Sequence, residues 1–129
     1  MVKFICNKLG HDKDLETFKS EGITIHYKLL NRQQLREALT NKLIEEANEV
    51  HGAKTRSDII AELADVLELI DAICKVWEIP SEIVVQEKEQ HYKMRGGFEK
   101  GLYIETIEMY ENNPKVSHFR KAPDRYPEL

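Results

Sequence analysis

Two helical periodicities, separated by a short connection, constrain this chain more than any other feature of its sequence. Asn31 is a good helix N-cap, and leucines then recur at Leu35, Leu39 and Leu43, in steps of four, on a helix expected to reach about Val50. His51 to Arg56 reads as the connection. Ser57 is the expected cap of a second long helix, running to about Trp77. That helix carries Ile60, Leu63, Leu67, Ile70, Cys74 and Trp77 at steps of three and four, which predicts a continuous apolar stripe.

Acidic residues fall on or beside both rows. Glu46 lies three residues after Leu43 and four before Val50, so it stands in line with the leucines on the inward face. Glu49 is one turn further along the same side. Glu45 is rotated by about 100° and points elsewhere. On the second helix a row of Glu62, Asp65 or Val66, Leu69 and Ile73 runs beside the apolar stripe, which puts Glu62 and Asp65 on one side at the edge of the buried region. Four carboxylates converging on a partly desolvated space repel one another and lose hydration, so a cation is expected among them. All-oxygen ligands with neither His nor Cys suit magnesium or manganese better than zinc or copper. Magnesium keeps waters and takes phosphate oxygens, which points to a phosphorylated substrate. Glu-rich helices are also commonly solvated, and periodicity alone leaves both readings open. A di-iron carboxylate site would need Glu-x-x-His pairs, but Asn48 precedes His51 and Lys88 precedes His91 at that spacing.

The rest of the chain is read around these helices. His11 to Ser20 predicts a short helix closed by Gly22, and Ile23 to Leu29 a short strand. Pro80 ends the second long helix, and Ser81 is the expected cap of a third, through about Met94. Gly96-Gly97 breaks the chain. Gly101 to Tyr110 fits a strand or a short helix. From about residue 112, Pro114, Pro123 and Pro127 predict an irregular tail that still carries Phe119 and Tyr126. The expected architecture is a mainly α helical bundle in a single domain, 1–129, with minor short strands near the N-terminus and after residue 100.

Composition narrows the function classes. A net charge of −4 argues against a nucleic-acid binder. Two cysteines without metal spacing fit a reducing, cytoplasmic setting. No apolar run approaches the roughly 18 residues of a membrane span, and the start is too short in apolar residues for a signal peptide.

Glu45-Glu46-Ala47-Asn48-Glu49, then 12 residues, then Glu62-Leu63-Ala64-Asp65 resembles the Glu-Glu-x-x-Glu … Glu-x-x-Asp signature of the all-α NTP pyrophosphohydrolase superfamily. That superfamily holds the MazG-like proteins, the phosphoribosyl-ATP pyrophosphohydrolases and the all-α dUTP/dCTP pyrophosphatases. Asn7-Lys8-Leu9 with Asp12-Lys13 is similar to the opening of a small MazG-like, phosphoribosyl-ATP pyrophosphohydrolase-like group. Lys88-Glu89, Arg95-Gly96-Gly97-Phe98 and Gly101-Leu102-Tyr103 resemble its later segment. The likeness spans roughly residues 3 to 105. One departure stands in the opening, where Gly10-His11 replaces the usual Val-Arg; a histidine is a weaker, pH-dependent phosphate ligand than an arginine.

The resemblance implies a hydrolase that cleaves nucleoside triphosphates between the α and β phosphates, giving a nucleoside monophosphate and pyrophosphate, with a house-cleaning role in the nucleotide pool as one use. It implies Mg²⁺, replaceable by Mn²⁺, on Glu46, Glu49, Glu62 and Asp65, with Glu45 as a helper. It also implies a homodimer or homotetramer. Glu46 or Glu49 is the expected base for the attacking water. Lys88 and Arg95, and more weakly Lys8 and Lys13, are candidates for holding phosphate; a plain surface charge is an equal reading for the first two. Tyr92 and Phe98 are candidates for a base pocket or, better, for the core. Trp77 and Cys74 are assigned to packing, and Asn48 faces away. The competing reading is a helical nucleotide-binding or regulatory protein without turnover. The base, the sugar and the normal or damaged state of the nucleotide are not legible.

Overall fold

The structure is a computed structural model that describes all 129 residues. The chain divides into two compact units, Met1–Lys93 and Met94–Leu129. Five α-helices follow in order: α1 (Asp14–Ser20), α2 (Arg32–Gly52), α3 (Arg56–Val76), α4 (Ser81–Arg95) and α5 (Val116–Arg120).

The centre of the first unit is the α2–α3 hairpin. At the start of α2 the Asn31 side chain accepts from the Gln34 amide at 2.9 Å, and the Gln34 side chain accepts from the Asn31 amide at 3.0 Å. This reciprocal cap satisfies two of the donors that a helix start leaves open. The cap of α3 is Thr55, whose hydroxyl accepts from the Asp58 amide at 3.1 Å. The helix therefore begins before Ser57, the cap expected from sequence. Only three residues separate α2 from α3, so the helices run antiparallel. Arg32 at the start of α2 donates to the Val76 carbonyl at the end of α3 at 3.1 Å, and Arg36 stacks over the Trp77 ring at 3.9 Å.

The buried seam differs from the stripe expected on α3. The residues turned inward are Ile59, Glu62, Val66, Leu69, Ile73 and Val76, in alternating steps of three and four. Facing them on α2 are Leu35, Leu39, Lys42, Glu46 and Val50. Leu39 and Leu69 are buried, and each contributes about 1.5–3 kcal/mol by leaving water. The more apolar row that sequence assigned to the core is largely turned out: Ile60 is 53% exposed, Leu63 46%, Leu67 63% and Trp77 50%. Cys74 of that row is buried. A helix apolar on two rows satisfies its hairpin partner with one, and the second is left without a partner in this chain.

α3 ends with Glu78 in the left-handed region, φ 57°. The Ile79 amide donates to the Cys74 carbonyl at 2.8 Å and the Glu78 amide to the Lys75 carbonyl at 3.1 Å, a Schellman closure. α1 closes the same way, with Gly22 at φ 75°. Sequence placed the start of α1 at His11, but the helix begins at Asp14, whose carboxylate accepts from the His11 amide at 2.8 Å. α4 begins at Ser81, which is its first helical residue, and no residue of the helix is buried. No helix is long and apolar enough to cross a membrane.

There is no strand. Both segments read as possible strands, Ile23 to Leu29 and Gly101 to Tyr110, are extended or irregular and mostly exposed. A strand needs a neighbour to take up its backbone hydrogen bonds, and neither segment has one.

In the second unit the tail expected to be irregular carries α5. Arg120 is its organiser. Its guanidinium takes Glu111 with two bonds, at 2.6 and 3.0 Å, and Glu128 with two more, at 3.0 and 2.7 Å. These bonds hold both carboxyls below the usual carboxylate range and hold the guanidinium charged. Phe119 and Tyr126 meet edge to face, with centroids 4.9 Å apart.

Candidate metal centre

The seam of the hairpin is apolar at one end and acidic near the other. Antiparallel register sets Leu39 level with Leu69, Lys42 with Val66, and Glu46 with Glu62. The carboxylates of Glu46, Glu62 and Asp65 converge so that one oxygen from each lies within 4.8 Å of the others. Glu46 and Glu62 are half-buried and Asp65 is exposed, so the group opens to solvent on one side. Partial burial raises the Glu62 carboxyl above its ordinary value, helped by a hydrogen bond with Glu46 and by the charges of Glu46, Asp65 and Glu49. Two carboxylates in hydrogen-bond contact share a proton when no cation takes its place. All donors are oxygens, a set that fits a hard divalent cation.

Glu49 stands outside this trio and is exposed, although its charge reaches Glu62. Glu45 is engaged elsewhere. Its carboxylate takes the Lys8 ammonium at 3.0 Å, and that hydrogen bond raises the Lys8 amine above its ordinary value. His11 lies 3.3 Å from Glu68, one turn beyond Asp65 on α3. The segment from Lys8 to His11 therefore touches both acid-bearing helices. Both contacts are exposed and screened by solvent, so they hold the segment only loosely.

The remaining candidates are not drawn to the acids. Lys13 caps α1 without a side-chain bond. Lys88 sits on α4, which starts where α3 ends, about 16 Å of helix beyond Asp65. α2 and α3 are the only helices in extensive contact, so α4 does not return along the hairpin and does not carry Lys88 to the acids of its own chain. Arg95 ends α4 and belongs to the second unit. Tyr92 and Phe98, given a core role by the sequence, are exposed, Phe98 fully. Trp77 is packed on one face only, beneath Arg36, whereas Asn48 is turned outward as expected.

No protein-family model matches the chain, and neither a curated protein nor a solved structure does.

One residue escaped the sequence reading. Lys42 lies four before Glu46, its ammonium 3.9 Å from that carboxylate, and both side chains are shielded, 18% and 14% exposed. The signal was available: steps of four, three and four through Leu35, Leu39, Lys42 and Glu46 put a lysine in the seam. A concavity of about 530 Å³ occurs in the second unit, lined by residues such as Glu111, Ser117 and Arg120. Its arginine is already neutralised by two carboxylates, which leaves Lys121 as the one cation of that lining without a carboxylate partner.

Proposed function

We propose that the protein is a Mg²⁺-dependent nucleoside triphosphate pyrophosphohydrolase that acts as a homo-oligomer. The observation that carries the reading is the convergence of Glu46, Glu62 and Asp65 in the hairpin seam, a mutually repelling oxygen set that a divalent cation would relieve. The spacing of these residues in the all-α pyrophosphohydrolase signature supports the same reading.

Bound magnesium, or manganese in its place, would neutralise charge on the phosphates and lower the pKa of a water molecule. Glu46, Glu62 and Asp65 would hold the cation. Glu49, exposed and outside the trio, is free to take the proton from the attacking water. The water oxygen bonds to the α phosphorus, the α–β bridging bond breaks, and the electron pair leaves with pyrophosphate. Lys8, held by Glu45 and within the field of Glu49, would offer an exposed ammonium to a phosphate oxygen.

What the chain leaves exposed supports association. Its accessible surface is 12519 Å², against about 8,400 Å² for two compact bodies of these sizes, even counted as separate. Only Leu39, Leu69 and Cys74 are buried, too small a core for stability on its own. A second copy covering the Ile60–Leu63–Leu67 stripe of α3 supplies the missing burial. It would also bring a second α4, whose Lys88 finds no acid layer in its own chain.

The test is direct. Purified protein with Mg²⁺ and a panel of nucleoside triphosphates should release the monophosphate and pyrophosphate in equal amounts. Glu49→Gln and Asp65→Asn should each lower turnover by at least about a hundredfold with the helical circular-dichroism signal retained. Full turnover in both variants would remove the assignment.

A further inference from the structure

Lys42 occupies a position that chain geometry ordinarily reserves for an apolar side chain. Leu39 one turn before it is buried, and the register sets Val66 across from it on α3. Its ammonium reaches along α2 to Glu46, at 3.9 Å. With side-chain exposures of 18% and 14%, this is the most shielded ion pair in the chain; the others involve side chains 38% exposed or more. Shielding matters because the pair is screened less by water and salt than a surface pair. Glu46 is also the carboxylate that contacts Glu62, so a charge placed on Glu46 is felt across the acid layer.

Resting on the metal reading above, we propose that Lys42 is a positioning residue, the built-in counter-cation of the acid layer. In the metal-free protein its ammonium offsets Glu46 and keeps the acidic layer from prising the hairpin apart. When a divalent ion arrives, Lys42 competes with it for Glu46 and is displaced. Its presence therefore weakens metal binding and keeps the site exchangeable, so that the ion enters with the nucleotide instead of being held permanently. The contact is long for an ion pair, which suits a partner that must yield.

The experiment uses the full chain and Mn²⁺ alone, without nucleotide. Mn²⁺ affinity is read from the electron paramagnetic resonance of free ion, and unfolding midpoints are read with and without metal, for wild type, Lys42→Met and Lys42→Arg. Met fits the seam in size and keeps helix propensity. At about 6 Å and an effective dielectric of about 20, an ammonium repels a divalent ion by an amount equivalent to well over a hundredfold in affinity; displacement of the lysine relieves most of this, so loss of the charge should tighten Mn²⁺ at least about tenfold. Lys42→Met should also melt lower than wild type without metal and gain more from Mn²⁺. Lys42→Arg should keep both properties within about twofold of wild type. Equal Mn²⁺ affinity in wild type and Lys42→Met overturns the role of Lys42 while leaving the metal site standing. Absence of Mn²⁺ binding in wild type overturns both readings.

Discussion

Leu67→Asp separates a lone chain from an associating one. Leu67 is 63% exposed in the single chain, on the stripe of α3 that the hairpin leaves uncovered. Full burial of a leucine is worth about 1.5–3 kcal/mol, so covering the exposed part contributes about 1–2 kcal/mol per protomer. A two-fold interface contains the residue twice, which gives about 2–4 kcal/mol. The aspartate adds the cost of an unpaired charge in an apolar contact. The dissociation constant should therefore weaken by about 30-fold to 1,000-fold. In a chain that stays alone the same change costs only about 0.5–1 kcal/mol, because most of the side chain already faces water. Sedimentation equilibrium over a wide concentration range gives the answer, and Trp77 on the same stripe supplies an independent signal. Wild type should be at least dimeric, with Trp77 emission shifted to the blue, and the variant should dissociate with its emission shifted to the red. A wild type that sediments as a monomer throughout, or a variant that associates as tightly as wild type, would refute the argument.

Three further outcomes are expected. Glu62 binds its proton more tightly in the fold than in the unfolded chain. Its stabilising effect is therefore full below the ordinary carboxylate value of 4.5 and is lost as pH rises through the higher folded value. Metal-free Glu62→Gln should thus melt higher than wild type at neutral pH, with the gain shrinking toward pH 4 and reversing in sign when Mn²⁺ is present; thermal scans in chelator and in Mn²⁺ decide it. Glu111 and Glu128 have the opposite sign: held low by Arg120, they stabilise the second unit above the ordinary carboxylate value and cease to do so as pH falls through their lower folded values. Arg120→Ala should abolish that acid transition, followed by the near-ultraviolet signal of Tyr126, while the hairpin's helical signal stays. Glu78→Gly removes the left-handed strain, about 1 kcal/mol, and an exposed pair with Arg32 worth less, so chemical denaturation should show a gain of about 0.5 kcal/mol.

The hairpin and its acids were legible because helical spacing fixes which side chains share a side. Spacing put Glu46, Glu49, Glu62 and Asp65 together as one quartet; the structure brings Glu46, Glu62 and Asp65 within reach of one another and leaves Glu49 exposed outside them. What sequence could not rank was which row of α3 meets α2. Ile60, Leu63 and Leu67 are the more apolar choice, yet Ile59, Val66, Leu69 and Ile73 form the seam. Local apolarity does not say whether a row meets its own chain or another. Lys42 was missed because a lysine is placed in solvent by default, although its long stem can lie in a seam while its head reaches an acid. The strands were overread at Ile23 to Leu29 and Gly101 to Tyr110, since β-branched residues describe a segment and not the neighbour it needs. Arg120 binds residues eight and nine positions away, and no periodicity announces such a pairing.

The acid layer of the α2–α3 hairpin is the proposed seat of a divalent cation. A crystal grown with Mn²⁺ and measured at the manganese absorption edge tests it most directly. The account predicts an anomalous peak about 2.0–2.3 Å from carboxylate oxygens of Glu46, Glu62 and Asp65, with Lys42 turned away from Glu46. Diffraction that shows those three side chains apart, with no peak between them, would contradict it.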